Sequence, residues 1–120
     1  MQTTEIRETW TALYARLSLD DGNVGESMSI QSQKAILTRK AEELGIYNYR
    51  FYVDDGYSGT TFNRPDLNRM IEDAMEDTQP SGIMVKDMSR FGRNNAMFMY
   101  YVEEIFPNND ILFIALNDDV

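Results

Sequence analysis

Short apolar runs alternate along this chain with stretches of helical periodicity, and that alternation constrains the fold more than any other feature. Thr11 to Leu17 (TALYARL) reads as a strand, Tyr49 to Val53 (YRFYV) as a second, Ile83-Met84-Val85 as a short buried third and Ile111 to Leu116 (ILFIAL) as the last. Between them, Ser29 to Leu44 places Ile30, Ala35, Ile36, Leu37, Ala41 and Leu44 at mostly helical spacing, with Gly45 as a stop. Asn63 is the expected cap of a further helix that has Pro65 in its first turn and runs through Leu67, Met70, Ile71, Ala74 and Met75. Pro80-Ser81-Gly82 marks a turn, and Asn94 to Phe106 reads as a helix stopped by Pro107. Strands alternating with helices predict βαβ units: an α/β fold in three layers, with a mainly parallel central sheet flanked by helices. In such sheets, sites form beyond the carboxyl ends of the strands, so the residues after Leu17, Val53, Val85 and Leu116 are the ones to inspect.

Composition narrows the chemistry. The 120 residues suit one compact domain, spanning 1–120, and 42% are hydrophobic, enough for a core. No apolar run approaches the roughly 18–20 residues that cross a bilayer, and Met1 to Glu8 does not resemble a secretory signal. With no cysteine there is no disulfide framework and no thiolate metal site; a soluble cytoplasmic protein fits. The absence of histidine excludes a Ser-His-Asp unit and imidazole ligands within the chain, so chemistry must rest on carboxylates, hydroxyls, arginines and lysines. The net charge of −9 argues against broad contact with duplex DNA by this chain alone.

Three segments carry the chemistry. In Tyr14-Ala15-Arg16-Leu17-Ser18 the alternation of an extended chain points Tyr14, Arg16 and Ser18 the same way; the plain alternative is a turn-capping serine beside an ion-paired arginine. In Val85 to Asn94, a helix starting near Ser89 sets Arg90 and Arg93 three apart on its first turn. Cations are disfavoured there unless an anion shares the site or Asp87 or Asp54 neutralises them. The connection from Asp54 to Pro65 is polar, bears glycines and delivers Arg64 to the next helix. All three meet at one edge of the sheet, giving a hydroxyl, Ser18, among Arg16, Arg64, Arg90 and Arg93. Guanidinium groups bind phosphate oxygens bidentately and stabilise their developing charge, so the arrangement suits attack of a serine on a phosphodiester better than amide hydrolysis.

These residues resemble the catalytic domain of the serine recombinases, the resolvase–invertase family. Tyr14 to Ser18 resembles the family's opening strand, which ends on the nucleophile. Ser29-Ile30-Gln31-Ser32-Gln33 is similar to its helix start, with Gln33 in the place of the active-site glutamine. Asp55-Gly56-Tyr57-Ser58-Gly59 followed by Arg64-Pro65 resembles its active-site loop, with Asp55, Ser58 and Arg64 as the matching acid, serine and arginine. Met88 to Arg93 resembles its paired-arginine motif. The insert Leu19 to Glu26 resembles the large, transposon and phage integrase type, and Ser89 stands where many small resolvases carry an aspartate.

The resemblance implies a 5′-phosphoserine intermediate on Ser18, phosphate contacts from Arg16, Arg64, Arg90 and Arg93, and support from Tyr14, Gln33, Asp55 and Ser58. It implies no metal, no ATP and no other cofactor. The implied partners are DNA, held through C-terminal regions that follow such a domain, and further subunits in a homodimer and tetramer, with no membrane. Two other readings stay open. Asp20-Asp21, Asp54-Asp55 and Lys86 mimic the acidic pocket and lysine of a response-regulator receiver, although the lysine follows the third strand rather than the fifth. A module that only pairs with other subunits would account for the fold without the chemistry.

Overall fold

The computed structural model describes residues 9–17, 29–76, 79–92 and 96–117. Its sheet has four strands, all parallel: β1 (Thr11–Leu17), β2 (Tyr49–Asp55), β3 (Gly82–Val85) and β4 (Leu112–Ala115), in the order β2-β1-β3-β4. Between them lie α1 (Ile30–Glu43), α2 (Pro65–Ala74), the short α3 (Met88–Phe91), and a composite helix: α4 (Ala96–Tyr100), a π-helical stretch Tyr101–Ile105, and α5 (Phe106–Asn108). The three-layer α/β architecture expected from the alternation is the one observed. No helix among the described residues is long and apolar enough to cross a membrane.

Period-two alternation in the strands builds two cores. Leu13 and Met84 face α1, packing against Leu37 and Ala41 with Ile46, Phe51 and Ile114 at the margin. Ala12, Tyr14, Tyr52, Ile83 and Val85 face the opposite way, onto Leu67, Met70 and Ala74 of α2 and onto Phe91, Phe98 and Phe106. Every residue of β3 is buried, as expected of a central parallel strand covered on both faces. Phe91 anchors the second core, meeting Phe98, Phe106 and Phe113 edge-to-face at centroid distances of 5.6, 5.8 and 5.1 Å. Gly92 lets the chain pass this cluster: a Cβ there would lie 2.1–2.4 Å from atoms of the Phe98 ring.

Local signals account for both ends of α1. Ser29 caps α1, its hydroxyl accepting from the Ser32 amide. Gly45, at φ 81°, ends the same helix in a Schellman turn: Ile46 N–H reaches Ala41 O at 2.8 Å and Gly45 N–H reaches Glu42 O at 3.0 Å.

Two boundary expectations are corrected. The capping position of α2 is Arg64, not Asn63, and it makes no side-chain cap bond; the amides of the first turn are taken by a carboxylate from β2, described below. Pro107 does not stop the third long helix, which runs on to Asn108. The turn before the proline widens into π geometry, with Phe106 N–H bonded to Tyr101 O. A proline has no N–H to give and its ring crowds the carbonyl four residues back, and a π turn relieves both.

The strand order sets the place of the site. From β1 the chain moves out to β2, then returns across β1 to β3, so the direction of winding reverses between β1 and β3. Such a reversal opens a crevice at the carboxyl ends of the two strands.

Candidate active site

Arg16, near the end of β1, is fully buried in that crevice. Its Nη1 donates to Tyr57 O at 3.0 Å and its Nη2 to Ser89 O at 2.9 Å, so its guanidinium ties together the segments that follow β2 and β3. Gly59 allows the approach, since a Cβ there would stand 2.8 Å from the guanidinium carbon. The main chain of Arg16 is held as firmly. β3 pairs with β1 only as far as Tyr14 opposite Val85. Beyond that point the buried amide of Gln33 takes the place of a strand: Arg16 N–H donates to Oε1 at 3.1 Å and Nε2 donates to Arg16 O at 2.9 Å. The same carbonyl accepts from Arg90 Nη1 at 3.2 Å. Gln33 thus fixes the backbone two residues before Ser18.

Arg90 is 6% exposed, in α3. The carboxylate beside it is Asp87, with Oδ1 at 3.9 Å from Arg90 Nε. Asp87 also accepts from the Ser89 hydroxyl and pairs with Lys86 Nζ at 3.1 Å. The negative charge beside Arg90 and Ser89 is thus that of Asp87. Burial acts to raise the Asp87 carboxyl, but the Ser89 and Lys86 hydrogen bonds and the Lys86 and Arg90 charges outweigh it and hold it below the ordinary carboxylate value. A carboxyl depressed in the folded state stabilises fully above its unfolded pKa, and the contribution is lost as pH falls through the folded value. Asp87→Asn should therefore flatten the acid limb of a thermal-stability profile as pH falls below the ordinary carboxylate value, relative to wild type. Parallel acid limbs would show that Asp87 contributes no such linkage.

Arg64 lies behind α3. It is fully buried, and each of its three guanidinium nitrogens is already bonded within the protein. Nε donates to Thr61 O at 3.0 Å, Nη1 to Arg90 O at 3.0 Å and to the Tyr14 hydroxyl at 3.3 Å, and Nη2 to Phe91 O. It also lies over the Phe98 ring, 5.1 Å from the centroid. Burial lowers its pKa, opposed by the nearby Tyr14 and Asp54. In this arrangement Arg64 braces α3 from behind and does not present a fork to a phosphate.

The Tyr14 hydroxyl donates in turn to Asp54 Oδ2 at 2.7 Å. The sequence did not single out Asp54 as a member of this network: it is 2% exposed, whereas its neighbour Asp55 is exposed. Asp55 sits at the end of β2 opposite Leu17, and exposed Ser58 bonds Thr60 through its hydroxyl. Ser18 and Arg93 lie outside the described residues, as do Asp20 and Asp21. The receiver-like pocket does not assemble from the rest, because Lys86 pairs with Asp87 and Asp54 is committed to Tyr14 and α2.

The fold that carries these residues has known counterparts. Residues 11–120 match the family described as Resolvase, N terminal domain. The chain belongs to that family. The crystal structure of the N-terminal catalytic domain of TP901-1 integrase is similar, with 31% identity and a TM-score of 0.76, covering 91% of this chain and 78% of that one. So is that of a resolvase family site-specific recombinase from Streptococcus pneumoniae, at 26% identity and a TM-score of 0.66, over 94% of this chain and 75% of the other. The Bacillus subtilis (strain 168) protein named "Putative DNA recombinase" is 31% identical over 108 residues, which are 90% of this chain. This resolvase domain spans only 20% of that relative's length.

Proposed function

We propose that this domain carries the strand cleavage and rejoining chemistry of a site-specific serine recombinase of the large type, with Ser18 as the nucleophile. The observation that supports it best is the junction of Arg16 and Arg90 at the carboxyl end of β1: Arg90 bonds the Arg16 carbonyl, and Ser18 follows two residues later. The Ser18 hydroxyl attacks a backbone phosphorus, the new O–P bond forms as the bond to the 3′-oxygen breaks, and the 3′-hydroxyl leaves with a proton. The 5′-phosphoserine ester keeps the bond energy, so the reverse attack by a 3′-hydroxyl on an exchanged partner reseals the strand.

Charge on the phosphorane-like transition state is met by Arg16, Arg90 and Arg93, whose forks match phosphate oxygens. Arg16 is covered by the Tyr57–Gly59 stretch, so the phosphate enters as that stretch gives up its carbonyl contact. Gln33 holds the strand end that aims Ser18. Arg64 and Tyr14 support α3, and Asp55 and Ser58 line the rim. DNA is gripped mainly by regions outside this acidic chain, and cleavage takes place in a dimer or tetramer of the intact protein.

The test is recombination of a two-site DNA substrate by the intact protein in EDTA without nucleotide. Product should form, because arginines supply the positive charge. A strict need for Mg²⁺ or ATP would exclude this chemistry. Labelling of Asp54 or Asp55 by acetyl phosphate would restore the receiver reading.

A further inference from the structure

One buried carboxylate lies outside the chemistry just described and is joined to it through a chain of hydrogen bonds. Asp54 ends the inner stretch of β2. Its Oδ1 accepts from the Asp66 amide at 3.0 Å, and its Oδ2 accepts from the Leu67 amide at 2.9 Å and from the Tyr14 hydroxyl at 2.7 Å. The first two are donors of the opening turn of α2, which has no side-chain cap of its own. One carboxylate therefore clamps both ends of the connection from Asp55 to Arg64.

The third bond leads further. The Tyr14 hydroxyl gives its proton to Asp54 and receives a bond from Arg64 Nη1, whose other bonds go to the carbonyls of Arg90 and Phe91. A negative and a positive group, both buried, are bridged by a neutral hydroxyl with its donor and acceptor senses fixed. Burial, offset in part by Arg64 and reinforced by Asp54, holds the Tyr14 phenol protonated far beyond its ordinary range, which keeps the bridge neutral.

We propose that Asp54 is a positioning residue of the active site, acting through the Tyr14 hydroxyl and the Arg64 guanidinium on the α3 segment that carries Arg90. Its consequence for catalysis rests on the recombinase reading above; its consequence for α3 does not. Asp54→Asn puts an NH₂ in place of one oxygen, so either the Asp66 amide or the Leu67 amide together with the tyrosine loses its acceptor. Tyr14→Phe breaks the relay alone and leaves the α2 amides on Asp54.

The experiment compares wild type, Asp54→Asn, Tyr14→Phe and the double variant of the intact protein. It follows hydrogen–deuterium exchange across residues 88–92 and the rate of DNA strand cleavage. Each single variant should speed exchange in 88–92 and slow cleavage, both about tenfold, the scale of one lost buried charge-assisted bond. The double variant should be no worse than the more severe single one, because both act on one relay.

Exchange that rises only across 65–70, with additive effects on cleavage, would make Asp54 a helix cap and overturn the proposal. So would altered exchange with wild-type cleavage. If Asp54→Asn does not fold, Tyr14→Phe decides alone, and wild-type values for it overturn the proposal. A wild-type protein that cleaves no recombination substrate would sink the recombinase reading instead, and the exchange across 88–92 would then decide the role of Asp54.

Discussion

Ser18→Ala in the intact protein should abolish covalent attachment to DNA while the domain unfolds at its wild-type temperature. The reason lies in how the strand end is held without it. Leu17 O accepts from the Gly56 and Tyr57 amides, and Arg16 is pinned by Gln33 and Arg90, so the strand is held up to Leu17 by contacts of its own. Losing one hydroxyl oxygen beyond the end of a strand should change stability by no more than about 0.5 kcal/mol. It removes the only atom proposed to attack phosphorus. Retention of labelled DNA on the protein in a denaturing gel measures the first effect, and a melting curve the second. Covalent complex formed at the wild-type rate by the alanine variant would mean that another group is the nucleophile.

Arg90→Lys should slow cleavage by roughly 10²–10³, or about 3–4 kcal/mol of transition-state stabilisation. Lysine preserves the charge, and Asp87 and Lys86 are close enough to preserve the local balance. What it removes is the planar fork, in which one nitrogen holds the Arg16 carbonyl while the fork as a whole is proposed to meet a phosphate. The informative comparison sets cleavage rate against melting temperature. Should lysine serve nearly as well, or should activity fall only in step with stability, Arg90 is a partner of Asp87 and nothing more.

Much of the fold was legible because a parallel sheet writes itself plainly into sequence. Strands such as Ile83-Met84-Val85 are covered on both faces and so read as unbroken apolar runs, and Ser29 and Gly45 mark the ends of α1 with local chemistry. Features made by contacts distant in sequence were not legible. The cap of α2 comes from Asp54, more than ten residues upstream, so nothing near Asn63 reveals it. The π turn before Pro107 is a compromise between a missing N–H and a helix whose Phe98 and Phe106 are already packed into the core.

The site divides in the same way. Motif and strand position pointed to Arg16, Arg90, Gln33 and Tyr14, which the structure places around the end of β1. They could not separate Asp54 from Asp55, because adjacent residues of a strand face opposite sides and only the packed structure says which side is buried. Nor could they show Arg64 turned inward: a charged residue in a polar loop reads as solvent-facing until carbonyls at Thr61, Arg90 and Phe91 are placed around it.

The central claim, that this domain breaks DNA by forming a phosphodiester with its own serine, is tested most directly by locating the bond. The intact protein is trapped on a nicked substrate that cannot be resealed, digested with protease and nuclease, and the adduct sequenced by mass spectrometry. The account predicts a nucleotide joined through its 5′-phosphate to Ser18. A nucleotide joined through a 3′-phosphate, or carried by any other residue, would contradict it.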